Sequence, residues 1–426
     1  MARAHVIGAG MAGLSAALRL TAAGRAVTLH EAAAHAGGRC RSFRDDKLGL
    51  EIDNGNHLLL SGNTLAMRYL NEVGAAQTLY RAPSAAFPFV DLDTGRRWTM
   101  APNRGHLPWW IFSKARRVPE TNAWDYLSAL KLPFARRTTT ITDVFNESRN
   151  AYKRFWEPLS VAVLNTRPHE ACARMLWPVL AETFGNGEAA CRPCIARDGL
   201  SDSFVAPALE TLKKRGAEIE FGRRLRDLGC TGNRVDRLGF ADGASLDLMP
   251  GDAVVLAVPS PVAAELLPGL NAPREHRSIA NAHFALDAAP PGPAVPFLGL
   301  LGGTAEWLFQ RGRVISVTIS AAEHVMDRPA AALARSIWTD VAKALDLPSE
   351  PIPAYRIIKE KRATFAATAE SVLQRPGAKT RFVNLALAGD WTDTGLPSTI
   401  EGAIRSGATA ARTLLWNGLP KRGGAP

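Results

Sequence analysis

The 426-residue sequence is poor in cysteine, has no acidic surplus and contains no long apolar run. Its five cysteines, Cys40, Cys172, Cys191, Cys194 and Cys230, are odd in number and scattered. No disulfide framework is readable from them, and a reducing compartment is expected. Cys191 and Cys194 form a CxxC. No second Cys or His pair follows at zinc-ligand spacing, and no strand–helix redox context surrounds it, so the pair is read as incidental and no metal is expected. No run of 18 apolar residues occurs. The nearest, around Pro290 to Leu308, is broken by Pro and Gly and carries Glu306. No basic segment followed by an apolar one precedes the strand that begins at His5-Val6-Ile7. The expectation is a cytoplasmic protein that neither spans a bilayer nor is exported. Lys and Arg outnumber Asp and Glu by 51 to 40, a net +11. That surplus suits an anionic partner, either nucleic acid or a membrane face, or it serves only solubility. No recognised nucleic-acid module accompanies it, which sets nucleic acid aside.

What is present is ordinary globular composition, 46% hydrophobic and 21% charged, which excludes disorder. The length exceeds one compact core. Residues 4–30 read as strand, Gly-rich turn, helix and strand. The helix has its apolar positions at Leu14, Ala17, Leu18 and Ala22, and Gly24 ends it. From about 86 to 190 prolines and tryptophans scatter between short helical stretches. The α/β rhythm returns near Gly199, where Ser201 is a plausible helix cap, and continues to the buried run Val254–Val258. A second irregular segment follows, with a Pro-rich loop at 290–296, a strand over Ile279–Leu286 and a helix over Ala330–Leu345. Leu385–Ala388 is a further buried strand, and a helix runs from about Thr399 to Leu415. This pattern predicts a discontinuous nucleotide-binding domain of residues 1–85, 191–269 and 376–426. A substrate domain of residues 86–190 and 270–375 is inserted into it.

Gly8-Ala9-Gly10-Met11-Ala12-Gly13 is a GxGxxG placed between a strand and a helix, the context that dinucleotide binding requires. Gly8 permits the turn, Gly10 lets backbone approach a pyrophosphate, and Gly13 lets the helix pack on the strand. The amides of Met11 and Ala12 open the helix toward the phosphates. Glu31 ends the second strand, where an acid accepts from a ribose diol. Gly37-Gly38-Arg39 follows, then Ser42. This spacing resembles the flavin-containing amine oxidase and phytoene desaturase superfamily. The resemblance implies an α/β fold with a Rossmann-like, glutathione-reductase-type FAD domain and an inserted α+β substrate domain. It implies that Gly38 and Arg39 lie over the dinucleotide, with Arg39 on the phosphates. It also implies that backbone near Leu225 meets the adenine, and that Gly389, Asp390, Thr399 and Ile400 close the flavin site. Gly407 would permit close helix packing. No Cys lies near Asp390, so dissociable FAD is expected.

Ile52-Asp53-Asn54-Gly55-Asn56-His57-Leu58-Leu59-Leu60, Arg197-Asp198-Gly199-Leu200-Ser201 and Arg362-Ala363-Thr364-Phe365 are together similar to the bacterial hydroxysqualene dehydroxylases of hopanoid pathways. The resemblance implies a long apolar isoprenoid substrate, an allylic hydroxyl replaced by hydride from reduced FAD, and an unidentified flavin reductant. Asn56 would stand beside the flavin. His57 is the candidate proton donor, as imidazolium, or else a hydrogen-bond donor at the flavin edge. Asp53 would orient His57 or bind its own turn. Asn281 stands where amine oxidases often carry Lys, which weakens an amine-oxidising reading; Asn281 and His283 otherwise read as sheet-edge residues. Leu107-Pro108-Trp109-Trp110-Ile111-Phe112, flanked by Arg104, Lys114, Arg116 and Arg117, has the composition of a membrane interface, and Trp124 to Arg137 repeats the theme. Peripheral attachment to the inner face of the cytoplasmic membrane is expected, against the alternative of a buried Trp cluster. The competing activities are desaturation of a carotenoid-like isoprenoid, amine oxidation, or non-enzymatic isoprenoid carriage.

Overall fold

The computed structural model describes residues 2–290 and 295–416. Residues 291–294 of the expected Pro-rich loop therefore lie outside the described residues. Short apolar runs build a five-stranded, wholly parallel sheet. Its order is Glu218–Glu220, Ala26–His30, Arg3–Ile7, Ala253–Leu256, Leu385–Leu387. Every side chain of Ala253–Leu256 is buried, as a strand covered on both faces demands. Strand order reverses direction between Arg3–Ile7 and Ala253–Leu256, and ligands of open α/β sheets bind outside the carboxyl ends at such a point. The helices Met11–Ala22 and Ile400–Trp416 cross closely beside it.

A seven-stranded sheet forms the second body of the molecule. Its order is Ala354–Phe365, His276–Ala285, Val314–Ile319, Trp307–Arg311, Phe297–Leu301, Phe87–Asp91, Arg97–Met100. Alternation splits its side chains. Ala282, Phe284, Ile315 and Val317 pack with Leu333, Ile337 and Val341 of the helix Ala330–Leu345. Asn281, His283, Ser316, Thr318 and Trp307 take the opposite face.

Three expectations need correction. The strand expected over Ile279–Leu286 spans His276–Ala285 and is paired on both sides, so Asn281 and His283 are buried inside the sheet and not at its edge. Ser201 is not a cap. The helix already begins at Leu200 with a wide first turn over Ser201–Val205, and the Ser201 hydroxyl accepts from Ser42 N at 2.8 Å. Trp110 is buried against Tyr126 and Phe155, while its neighbour Trp109 is exposed.

Candidate functional site

Three turns meet at the carboxyl ends of the parallel sheet. Gly8 has a φ of 102°, and a Cβ there would stand 2.4 Å from Ala257 O. At Gly13 a Cβ would lie 1.8 Å from Gly8 O, so helix and strand touch backbone to backbone. At Gly10 the situation is opposite: a Cβ would meet nothing within 4 Å. Gly10 is also the N-cap of Met11–Ala22 and brings no side chain to the amides of Met11, Ala12 and Gly13. Bare backbone, open space and a helix N-terminus together suit a diphosphate. The second turn folds onto the first, with Gly37 N donating to Ala9 O at 2.8 Å. A Cβ on Gly38 would approach Gly10 Cα at 3.4 Å.

Glu31 is held at the end of its strand by two amides, Ala9 N to Oε2 at 2.7 Å and Ala33 N to Oε1 at 2.8 Å. The segment before Leu225 folds beside it, since Arg223 N donates to Glu31 O at 2.8 Å. Leu225 itself is buried at the start of Leu225–Thr231.

The third turn supplies the charge. Gly389 has a φ of 149°, and a Cβ there would strike the Trp391 indole at 2.3 Å. Asp390 is buried and accepts from Arg39 Nη2 at 2.6 Å and from Ser398 Oγ at 2.5 Å. Burial alone would raise the Asp390 carboxyl, but Arg39 and Ser398 override it and hold it below the usual range. Asp390 in turn pushes the Arg39 guanidinium up. Arg39 Nη1 also donates to Ala363 O. Thr399 caps the last helix, its Oγ1 accepting from Gly402 N at 3.0 Å, and Ile400 is its first, buried residue.

The isoprenoid-type strings converge on the same place. Asp53 accepts from Ser42 Oγ at 2.6 Å, Leu200 N at 3.0 Å and Arg311 Nη1 at 2.8 Å. It binds neither His57 nor its own turn, which corrects the expectation for it; a cation 258 residues away takes one oxygen. Asn56 Nδ2 donates to Thr318 Oγ1 at 3.0 Å, and that hydroxyl donates to Asn281 Oδ1 at 2.8 Å. Asn281 Nδ2 returns to Asn54 O at 3.3 Å. Asn281 thus ties the sheet to the Asp53–Leu60 string. His57 is only partly accessible and has no hydrogen-bond partner among the described residues. Burial lowers its pKa to about 4, with Asp53 opposing and Arg39 assisting. Its ring is neutral near pH 7, which corrects the expectation of an imidazolium.

Cys191 and Cys194 are buried free thiols, both pushed up by burial, Cys191 to about 12. They carry no reactive thiolate. Among the described residues no group of three or more His, Cys, Asp or Glu could hold a metal ion. A groove of about 480 Å³ lined by Arg19, Leu65, Arg405 and Trp416 lies on the outer side of the nucleotide fold, away from these turns.

Sequence reasoning missed four residues here. Arg311 carries one, legible only as a cation at the end of an apolar strand. Ser398 is a second. Arg375, whose Nη2 donates to the carbonyls of Asp390 and Thr392, is a third; burial lowers it to about 10 and leaves it charged. Glu401 is the fourth, buried and accepting from Leu65 N at 3.1 Å and Ala66 N at 2.8 Å.

A family model described as flavin containing amine oxidoreductase matches residues 11–415. The chain is 48% identical to a hydroxysqualene dehydroxylase of Rhodopseudomonas palustris, covering 96% of this chain and 98% of that protein. It is 46% identical to a hydroxysqualene dehydroxylase of Sinorhizobium fredii, covering 96% and 97%. Among solved structures, a redesigned putrescine oxidase superposes with a TM-score of 0.73 at 16% identity, over 97% of this chain and 99% of that one.

Proposed function

Since the chain belongs to the flavin-containing amine oxidoreductase family, and within it to the hydroxysqualene dehydroxylases, we propose that it reduces hydroxysqualene to squalene in squalene and hopanoid biosynthesis. It is an FAD-dependent oxidoreductase. The observation that carries the substrate reading is convergence. The strings around Asp53–His57, Leu200–Ser201 and Ala363 lie far apart in sequence, yet they join through Ser42, Arg311 and Arg39 at one site.

Gly8, Gly10, Gly13 and Gly38 would give FAD a backbone cradle, Glu31 would take its ribose, and the backbone near Leu225 would take its adenine. Arg39, paired with Asp390, presents a fixed positive charge on the phosphate side. The amides that open the helix at Thr399 and Ile400 would stabilise negative charge on the bound flavin. When bound and reduced by an external donor, FAD supplies hydride. Asn56 and neutral His57 would offer N–H groups to the bound flavin, and the packed rings of Phe297, Phe89 and Trp307 would help to keep water from the reacting carbon.

Among the described residues no helix is long and apolar enough to cross a membrane. We further propose that the surface carrying Trp109, Phe112, Trp124, Leu130 and Phe134 rests on an anionic bilayer, from which the C30 substrate enters. All five are exposed, Phe134 at 86%. Arg104, Lys114, Arg116, Lys131, Arg136 and Arg137 are exposed among them.

The test is anaerobic incubation of the holoenzyme with hydroxysqualene and reduced FAD. Squalene is the expected product. Desaturated hydrocarbons without dehydroxylation would overturn the reading.

A further inference from the structure

We propose that Asn56 binds the hydroxyl of the alcohol substrate through its side-chain oxygen Oδ1, and that Asn281 and Thr318 are positioning residues that hold that oxygen outward. The role rests on the dehydroxylation reading above. The direction of three hydrogen bonds fixes it. The carbonyl of Asn54 can only accept, so Asn281 turns its amide nitrogen toward it, at 3.3 Å. Asn281 Oδ1 then faces Thr318. An amide oxygen also can only accept, so the Thr318 hydroxyl gives its one proton there, at 2.8 Å. Left without a proton, Thr318 Oγ1 can only accept from Asn56, which presents Nδ2 to it at 3.0 Å. A backbone carbonyl at one end of the chain thus sets the amide at the other, and Asn56 Oδ1 is turned away from Thr318. Asn281 and Thr318 are both buried, so bulk water offers them no other partner. Asn56 Oδ1 accepts nothing among the described residues and keeps accessible surface, unlike the buried, unpartnered His283 Nε2 on the same strand as Asn281.

The place of Asn56 is set from two sides. On one side, Thr318 and Asn281 belong to the face of the seven-stranded sheet turned away from the helix Ala330–Leu345. On the other, Asn54 N donates to Arg41 O at 2.9 Å and Asp53 accepts from Ser42 Oγ at 2.6 Å. These bonds lace the Asp53–Leu60 string to the loop that carries Gly38 and Arg39. Gly38 lies against Gly10, and Arg39 binds Asp390, both within the turns that would hold FAD. Arg39 is also near enough to His57 to disfavour its protonation. Asn56 therefore stands between the sheet and the flavin turns. Its neighbour Gly55 leaves room for the Asn281 amide, since a Cβ there would lie 3.3 Å from Asn281 Nδ2. Directly opposite Thr318 on the next strand is Trp307, partly accessible, so apolar surface begins one strand away from the amide.

A fixed acceptor beside an apolar surface separates an alcohol from a hydrocarbon. The substrate hydroxyl donates to Asn56 Oδ1, which holds the carbon that bears it and leaves both lone pairs of its oxygen open to an acid. The other acceptors at these turns are committed: both oxygens of Glu31, Asp53 and Asp390 already accept hydrogen bonds. Squalene carries no hydroxyl, so the product loses this contact and is released. A freely turning amide would offer a hydroxyl its N–H as often as its oxygen. The one-way chain through Thr318 and Asn281 removes that choice before the substrate arrives.

Equilibrium binding to the oxidised holoenzyme tests this without turnover, using radiolabelled hydroxysqualene and squalene in micelles of fixed composition. Wild type should bind the alcohol about 10-fold more tightly than the hydrocarbon, as one hydrogen bond allows. Asn56→Ala should bind the two alike. Thr318→Val keeps the shape but lets the Asn56 amide turn, so most of the preference should vanish; Thr318→Ser should restore it at equal FAD content. In turnover, Thr318→Val should raise KM for the alcohol more than it lowers kcat. If Asn56→Ala loses FAD, the Thr318 pair decides, and equal preference in the Val and Ser variants sinks the assignment. A wild type that forms squalene yet shows no preference for the alcohol, or an Asn56→Ala that keeps the preference, would overturn this assignment alone. A wild-type holoenzyme that makes no squalene would overturn the dehydroxylation reading, and the assignment with it.

Discussion

At the scale of single residues, burial sets the protonation state of the histidines packed inside the sheets. His5 Nδ1 lies 3.2 Å from His30 Nε2 under the parallel sheet, and burial, aided by His30, lowers His5 to about 4. His283 is buried with Nδ1 at 2.7 Å from Ser316 Oγ, and burial lowers it to about 4 as well. A folded-state pKa below the unfolded value of 6.5 means stability that is fully present above pH 6.5 and lost as pH falls through 4. Glu306 works in the opposite sense: its raised pKa gives stability present below 4.5 and lost as pH rises through 7. With His57 also lowered to about 4, three histidines outweigh one carboxyl, so the urea midpoint should fall steadily between pH 6.5 and 4. His283→Gln should flatten that fall by at most about 3 kcal/mol. An unchanged slope in the variant would mean that His283 is protonated in the fold.

Elements meet where side chains are missing. Ser15 Oγ donates to Ile404 O at 2.8 Å, and a Cβ on Gly407 would lie 2.0 Å from Ala12 O and 2.9 Å from Ala16 N. Both obstacles are backbone, so Gly407→Ala must push the helices Met11–Ala22 and Ile400–Trp416 apart. Overpacking of this kind costs about 1–3 kcal/mol. Because Ala12 and Gly13 lie on the displaced helix, flavin should also be lost on gel filtration; a variant with wild-type melting and full flavin would refute the close crossing. The role of Gly407 is legible in the sequence, as are the strand–turn–helix at Gly8–Gly13 and the Gly37–Arg39 turn, because each is set by local backbone geometry. What was not legible depends on partners distant in the chain. The alternation that buries Asn281 and His283 is blurred by Ala280 and Ala282, which fit either face. Trp109 and Trp110 look alike in sequence, but the tight turn over Trp109–Phe112 points neighbouring side chains in different directions. Asp53 reads as a turn residue until Arg311 is brought to it.

For the whole molecule, the net charge of +11 and the exposed aromatics make one prediction. Vesicles containing anionic lipid should float the protein, and added salt should release it, since screening shortens the reach of Arg104, Lys114, Arg116 and Arg136. Changing Trp109, Phe112 and Phe134 together to Ser should leave only weak, fully salt-sensitive binding. If neither wild type nor variant floats, the surface does not meet a bilayer. The order of the parallel sheet has a separate consequence, which concerns synthesis. Ala26–His30 and Leu385–Leu387 belong to one sheet, and Asp390 completes the charge of Arg39. At ordinary ribosomal speeds, roughly 20–70 s separate the emergence of those two strands. Through that interval the helix Met11–Ala22 lacks its cover, and from its own emergence the strand Ala253–Leu256 lacks its neighbour, so the nascent chain carries an apolar helix face and then an open strand that a chaperone must shield.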